Sequence, residues 1–200
     1  GRQGVILHAT VNLSASPYHA NKSWVRIEVA RSAAASLNHP FLLANQVGGN
    51  DDLLFDGRSI IAWPDGTTVI APAWSEGVLI TDLASPENCY WVGDGEVTIL
   101  QADENLEETE DELLDAIIIG LSDYCKKSGI SKIVLGLSGG IDSALAACIA
   151  SAAVGPENVT GISMPSKHSS QHSIDDAKAT AEALGINFSM RSISSLHEAT

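Results

Sequence analysis

The stretch at residues 132–143, KIVLGLSGGIDS, decides the fold of the second half of the chain. It opens with an apolar run that is typical of a buried parallel strand. A helical pattern rich in alanine and leucine follows it. Between the two, Gly139 and Gly140 allow a tight turn and a close approach to a ligand, because neither carries a side chain. The sequence therefore predicts a strand, a glycine loop and a helix in succession.

The start of this predicted helix is suited to an anion. Asp142 or Ser143 can supply the cap, and the free N–H groups and the helix dipole favour a phosphate. The pattern differs from the Walker loop GxxxxGK[ST], since no lysine follows the glycines. An acid stands in the loop instead, which indicates a divalent cation between Asp142 and bound phosphates, because the negative charges would otherwise repel each other.

The loop resembles the SGGxDS loop of the ATP pyrophosphatase (PP-loop) family. Members of that family cleave ATP between the α- and β-phosphates, transfer AMP to a substrate oxygen and release pyrophosphate. The resemblance implies that ATP and Mg²⁺ are bound here, with the metal on Asp142. The residues expected to contact ATP are Gly136, Leu137, Ser138, Gly139, Gly140, Ile141, Asp142, Ser143 and Met164. The alternative is a glycine-rich turn that binds no ligand.

The residues around the loop predict a βαβαβ unit with a parallel sheet. Its predicted elements are a long helix at 107–127, helices at 142–153 and 174–184, and later strands at 159–164 and 186–190. Ligands of such sheets lie beyond the carboxyl ends of the strands. The polar loops 138–143 and 165–173 should therefore lie side by side. His168 and His172 have the spacing of a helical metal pair, but the segment has a loop pattern, which favours no metal there.

Two further stretches make the resemblance more specific. GLSGGIDSALAACIA and MPSKHSSQHSIDDA are similar to the synthetase domain of the NAD synthetase family. Other PP-loop enzymes, which make GMP, asparagine or argininosuccinate or modify tRNA, share the SGGxDS loop but not the second stretch.

The first half of the chain predicts strands at residues 5–13, 41–47 and 77–83, a helix at 21–38, a loop at 48–52, and a hairpin of 58–63 with 67–71. Two of its sequence stretches, NLSASPYHANK and PFLLANQVGGNDDLLFDGRS, resemble the C-terminal half of a nitrilase-fold carbon–nitrogen hydrolase domain. Within that superfamily it is most similar to the glutaminase domain of glutamine-dependent NAD synthetases.

The resemblance implies a catalytic glutamate, lysine and cysteine, and by family spacing all three are expected upstream of Gly1. No cysteine precedes Cys89 in this chain, so it offers no candidate nucleophile there. Ser16 and Lys22 fall where the family holds the substrate glutamine. The alternatives are a turn serine that stabilises the Ser-Pro break and a solvated lysine on the first helical turn.

The composition limits the class of protein. The chain has 200 residues, of which 44% are hydrophobic and 18% charged, and its net charge is −14. This acidity argues against nucleic-acid partners and anionic membranes. No apolar stretch is long enough to span a bilayer, and three cysteines without metal-like spacing fit a reducing cytoplasm.

The expected fold class is α/β: the end of a nitrilase-like αββα domain followed by a doubly wound parallel-sheet PP-loop domain. The expected limits are 1–83 for the hydrolase part, 84–106 for an irregular linker and 107–200 for the synthetase part.

The resemblance implies ATP-dependent amidation of deamido-NAD to NAD through an adenylated intermediate, with ammonia released from glutamine. The alternatives are another PP-loop amidating ligase, a carbon–nitrogen hydrolase of different substrate, or a nucleotide-binding sensor. We expect a homo-oligomer at full length and no activity from this internal piece alone.

Overall fold

The computed structural model describes residues 7–20, 22–102, 110–166 and 169–193. It divides the chain into two compact units, Gly1–Ala116 and Ile117–Thr200. Within the described ranges, no helix has both the length and the apolar character needed to cross a membrane.

The first unit is built around a mixed sheet and one long helix. Its elements are β1 (Thr10–Ser14), α1 (Lys22–Leu37), β2 (Phe41–Asn45), β3 (Val47–Asn50), β4 (Leu53–Asp56), β5 (Ile60–Ala62), β6 (Thr68–Ile70), β7 (Val78–Asp82), β8 (Ser85–Gly93) and β9 (Glu96–Leu100). The mixed sheet has the order β1-β2-β5-β6, with β1 parallel to β2 and the other pairs antiparallel. A two-stranded sheet joins β3 to β4, and an antiparallel sheet joins β7, β8 and β9.

Helix α1 packs its apolar face on the mixed sheet. Ile27, Ala30 and Ala34 recur at helical spacing and are almost fully buried. They form one core with sheet residues such as Phe41 and Ile60. The helix predicted at 21–38 is confirmed, and so is the hairpin that β5 and β6 form.

Two predictions for the first unit are wrong in detail. The segment 48–52 was predicted to be a loop, but β3 covers Val47–Asn50 and pairs with β4. The segment 84–106 was predicted to be irregular, but it contains β8 and β9. Cys89 and Trp91 alternate inward on β8 and are buried, which is a strand signal. Neighbouring proline, glycine and charged residues conceal this signal in the sequence.

The second unit contains β10 (Ile133–Gly136), α3 (Ile141–Val154), a short 3-10 helix (Pro156–Asn158), β11 (Val159–Ser163), α4 (Gln171–Leu184) and β12 (Asn187–Met190). Its strands form a parallel sheet in the order β10-β11-β12. Helix α2 (Glu110–Lys127) precedes it and begins in the first unit. The predicted βαβαβ arrangement is confirmed.

Alanines line the core of the second unit. Ala147 and Ala150 of α3 are buried together with Ala177 and Ala181 of α4. Helix α4 begins at Gln171, three residues before the predicted start, because Ser170 caps it: the Ser170 hydroxyl accepts a hydrogen bond from the Ser173 N–H. The loop predicted at 165–173 is therefore shorter than expected.

A buried ion pair joins α1 to the end of β4. Arg26 Nη1 donates to Asp56 Oδ1 at 2.7 Å, and Arg26 Nη2 contacts the second carboxylate oxygen. The Ser23 hydroxyl donates to the same carboxylate at 3.5 Å, and Arg58 Nε lies 3.8 Å from it. Asp56 is fully buried, so these donors replace the water that its charge has lost.

Replacing Asp56 with Asn should destabilise the first unit by about 3–5 kcal/mol, because the buried Arg26 guanidinium loses the charge that neutralises it, whereas Arg58 also pairs with Glu112. The measurement is the free energy of unfolding from chemical denaturation. Glu28→Gln is the matched control in the same unit, since Glu28 is exposed on α1 and pairs with Arg31 at 3.2 Å. The control should cost less than about 1 kcal/mol. Equal costs for the two variants would contradict the structural role of Asp56.

Candidate functional site

A cavity of about 240 Å³ lies at the carboxyl ends of β10 and β11. This is the edge where parallel α/β sheets bind their ligands. Its walls are partly apolar, and serine hydroxyls and backbone groups lie among them. The lining residues are Gly136, Leu137, Ser138, Ile162, Ser163, Met164, Pro165, Ser169, Ser173 and Ile174.

The glycine loop is held in shape by its own serines. Ser143 Oγ accepts a hydrogen bond from the Ser138 N–H at 3.2 Å and donates to the Gly140 carbonyl at 2.9 Å. The two hydroxyls lie 3.1 Å apart, and Ser138 Oγ accepts from the Gly140 N–H at 3.3 Å. A hydroxyl has one donor and two acceptor positions, and Ser143 uses all three here. Its contribution to a ligand would therefore come from its backbone N–H.

The first turn of α3 offers unpaired backbone donors. The first hydrogen bond of the helix runs from the Ala144 N–H to the Gly140 carbonyl at 3.1 Å. The N–H groups of Ile141, Asp142 and Ser143 therefore have no partner within the helix. The N-cap is Gly140, without a side-chain hydrogen bond, so the prediction that Asp142 or Ser143 supplies the cap is wrong. This helix start can hold an anion through backbone N–H groups and the helix dipole.

Gly139 brings the two polar loops into contact. Its φ is +82°, and a Cβ at this position would lie 2.2 Å from the carbonyl oxygen of Ser173. Only a residue without a side chain fits there. The start of α4 consequently lies directly against the glycine loop, and the prediction that the two loops lie side by side is confirmed.

Not all of the predicted nucleotide residues line the cavity. Gly136, Leu137, Ser138 and Met164 do so. Leu137 is 1% exposed as a whole residue, and its side chain packs in the core. Ile141 is exposed at the helix start, and its backbone N–H, which has no partner within the helix, could contact a ligand.

Several residues of the cavity were not named individually from the sequence. Ser169, Ser173 and Ile174 come from the second loop and the first turn of α4. The polar run after the second predicted strand indicates that this region lies near the site, but it does not show which of its side chains face the cavity.

The suggested histidine pair lies partly outside the described residues, since His168 is not among them. His172 is on the first turn of α4, where its Nδ1 lies 2.6 Å from Asp176 Oδ2. In the described part of the chain, no three His, Cys, Asp or Glu residues form a group suited to a metal ion.

In the first unit, Ser16 follows the end of β1 and Lys22 is the first residue of α1. The Asn45 side chain binds both backbone polar groups of Ser16. Within the described residues, neither the Ser16 hydroxyl nor the Lys22 ammonium has a partner of its own. Both groups are therefore available to a ligand. Asn45 was not named from the sequence.

Two family models match consecutive parts of the chain. The model described as carbon–nitrogen hydrolase matches residues 1–88, and the model described as NAD synthase matches residues 113–200. The chain thus combines a carbon–nitrogen hydrolase part with an NAD synthase part. The predicted fold class, a nitrilase-like part followed by a PP-loop α/β part, is confirmed.

Curated relatives identify the family that joins these two parts. The chain is 46% identical over 187 residues to the glutamine-dependent NAD(+) synthetase of Synechocystis sp., an alignment that covers 92% of this chain. It is 39% identical over 214 residues to the enzyme of the same name from Aquifex aeolicus, with 94% of this chain covered. The chain belongs to the glutamine-dependent NAD(+) synthetase family. It spans 32% and 38% of the length of these two relatives.

Solved structures agree with this assignment. The glutamine-dependent NAD(+) synthetase of Acinetobacter baumannii, solved in complex with ADP, superposes with a TM-score of 0.78 at 32% identity. The match covers 96% of this chain and 35% of that one. A synthetase from Cytophaga hutchinsonii superposes with a TM-score of 0.68 at 23% identity, over 95% of this chain and 37% of that one. The second match supports the fold alone.

The Gly139 contact leads to a prediction about stability. Gly139→Ala should destabilise the second unit by roughly 2 kcal/mol more than Gly185→Ala, because it adds steric overlap with Ser173 to the cost of a positive φ. Gly185 is the control because its φ is +68° and nothing lies within 4 Å of an added Cβ. Chemical denaturation measures both. Equal losses of stability in the two variants would mean that the backbone at Ser173 can shift away from an added Cβ at little cost.

Proposed function

We propose that the full-length protein amidates deamido-NAD to NAD in an ATP-dependent reaction, with ammonia that its hydrolase part releases from glutamine. The observation that carries the proposal is the SGGIDS loop, which lies at the start of α3 beside a cavity at the strand ends. The family assignment supports the same reaction.

ATP would lie along the glycine loop with its phosphates at the start of α3. Gly139, Gly140 and the free N–H groups of the first helical turn would bind the pyrophosphate part. The partly apolar cavity beside Gly136 and Met164 suits the adenosine part. Ser138 and Ser143 would act chiefly by fixing the loop conformation, because they bond to each other and to the loop backbone.

The residues present fit a magnesium ion held by Asp142. Asp142 lies on the first turn of α3 with an exposed carboxylate that has no partner among the described residues. Mg²⁺ is commonly bound by one or two carboxylates together with substrate phosphates and waters. When bound, it would neutralise the negative charge that develops on the departing pyrophosphate.

The chemistry follows from the poor reactivity of a carboxylate towards ammonia. A carboxylate oxygen of deamido-NAD would attack the α-phosphorus of ATP. A new P–O bond forms, and the bond to the β-phosphate breaks to release pyrophosphate. Ammonia then attacks the activated carbonyl carbon, the bond to AMP breaks, and the nitrogen loses a proton to give the amide. The protein contributes positioning and charge stabilisation to both steps.

The hydrolase part would hold glutamine through Ser16 and Lys22. A hydroxyl and a cation suit the charged ends of a free amino acid. We propose limits of 1–83 for this part and 107–200 for the synthetase part. We also propose a cytoplasmic location, a homo-oligomeric full-length protein, and no nucleic-acid or membrane partner.

The test of the proposal is an assay of the full-length protein with ATP, magnesium and deamido-NAD, supplied with either glutamine or ammonia. We expect one NAD and one pyrophosphate for each ATP consumed with either nitrogen donor. Release of inorganic phosphate instead of pyrophosphate, or no reaction with ammonia, would overturn the proposal.

Asp142→Asn should lower NAD synthesis in the full-length protein by about a hundredfold, because Mg²⁺ loses its charged ligand on the protein. The measurement is the rate with saturating ATP, magnesium and ammonia. Glutamine hydrolysis should fall less. Asp52→Asn is the charge-matched control, since Asp52 is exposed in the turn between β3 and β4, and it should keep the wild-type rate. A wild-type rate for Asp142→Asn would show that Asp142 does not hold the metal.

Lys22→Ala should raise the KM for glutamine by about tenfold, because the substrate loses one charged partner. Synthesis from free ammonia should be unchanged. Lys178→Ala is the control because Lys178 lies on an exposed face of α4. This variant should make NAD from glutamine and from ammonia with the kinetic constants of the wild type. If Lys22→Ala lost NAD synthesis equally with glutamine and with ammonia, Lys22 would serve the fold and not glutamine binding.

A further inference from the structure

The side chain of Asn45 makes two hydrogen bonds to the backbone of Ser16 and a third to the backbone of Gly57. Asn45 Oδ1 accepts from the Ser16 N–H at 2.9 Å, and Asn45 Nδ2 donates to the Ser16 carbonyl at 3.4 Å. The same Nδ2 donates to the Gly57 carbonyl at 2.9 Å. One side-chain amide thus satisfies both backbone polar groups of Ser16.

This arrangement extends the pairing of β1 with β2. The parallel ladder ends where Ser14 lies opposite Asn45, and the Gln46 N–H then donates to the Ser14 carbonyl at 3.1 Å. Strand β1 ends at Ser14, so Ser16 lies beyond the ladder with β2. The Asn45 amide therefore takes the place of a backbone partner for Ser16.

The three contacts require an amide in one orientation. Two carbonyl oxygens and one N–H surround the Asn45 head group, so the oxygen faces the N–H and the nitrogen faces the carbonyls. The backbone of Asn45 is itself fixed, because its N–H donates to Ser59 Oγ at 3.0 Å. A carboxylate at position 45 would have nearly the same shape but would face the two carbonyl oxygens without a hydrogen to donate.

A second contact ties Ser16 to α1. Arg26 Nη1 donates to the Ser16 carbonyl at 3.5 Å while Arg26 is paired with buried Asp56. Arg26 and Lys22 are four residues apart on α1, so they lie on the same helix face. The turn that carries Ser16 is thereby held near the helix face that carries Lys22.

We propose that Asn45 is a positioning residue for glutamine binding: it fixes the backbone of Ser16 so that the hydroxyl of that serine is presented to the substrate. This inference rests on the proposed glutamine-binding role of Ser16 and Lys22. Because Asn45 acts through Ser16, its loss should weaken glutamine binding and leave the reaction of free ammonia intact.

The test uses Asn45→Asp in the full-length protein, with NAD synthesis measured as a function of glutamine and, separately, of ammonia. We expect the KM for glutamine to rise about tenfold, because two donated hydrogen bonds to backbone carbonyls are lost. We expect the kcat with ammonia to stay within about twofold of the wild type. Asn50→Asp is the matched control, since Asn50 is exposed at the end of β3, and it should change neither value.

Asn45→Ala separates the loss of the amide from the added charge and should raise the KM for glutamine in the same way. An unchanged KM in both Asn45 variants would overturn the inference. Equal loss of the glutamine and ammonia reactions, or failure of both variants to fold, would also overturn it, because Asn45 would then serve the fold. If the wild-type protein made no NAD from either donor, the proposed function itself would fail, and that result is distinct from the others.

Discussion

The arrangement of the candidate site in the second unit depends on the absence of a side chain at Gly139. The carbonyl oxygen of Ser173 occupies the space where a Cβ would lie, at 2.2 Å. This contact brings the first turn of α4 against the glycine loop. The serines of the second loop therefore line the same cavity as Ser138. A parallel sheet places both loops at one edge, but the contact at Gly139 determines how close they come.

The second unit could be predicted from the sequence because its signals are local. An apolar run, two adjacent glycines and an alanine-rich helix follow one another within residues 132–154. Each segment specifies its own conformation, and the right-handed crossover rule then leaves one simple parallel arrangement. The predicted order of strands and helices agrees with β10 to β12 and with α3 and α4. The start of α4 differs, because a serine cap is hard to recognise among several serines, and α3 is capped by Gly140 rather than by Asp142 or Ser143.

The parts of the first unit that could not be predicted depend on contacts between distant residues. Asn45 looks like an ordinary polar residue at the end of a strand, and its partners Ser16 and Gly57 are 29 and 12 residues away. Residues 85–100 contain proline, glycine and charged residues, yet Cys89 and Trp91 pack inward once β7 pairs with β8. Sequence periodicity alone cannot distinguish a weak strand pattern from a loop pattern when pairing with a distant strand determines the structure.

In both predicted sites, one residue fixes the backbone so that a neighbour keeps a free polar group. The Ser143 hydroxyl is bonded to the loop around it, whereas the carboxylate beside it, on Asp142, is exposed. In the other unit the Asn45 amide saturates the backbone of Ser16, and its hydroxyl has no partner among the described residues. A group held in place before the ligand arrives loses little conformational freedom on binding. Residues that bind the backbone should therefore affect ligand affinity although they do not touch the ligand.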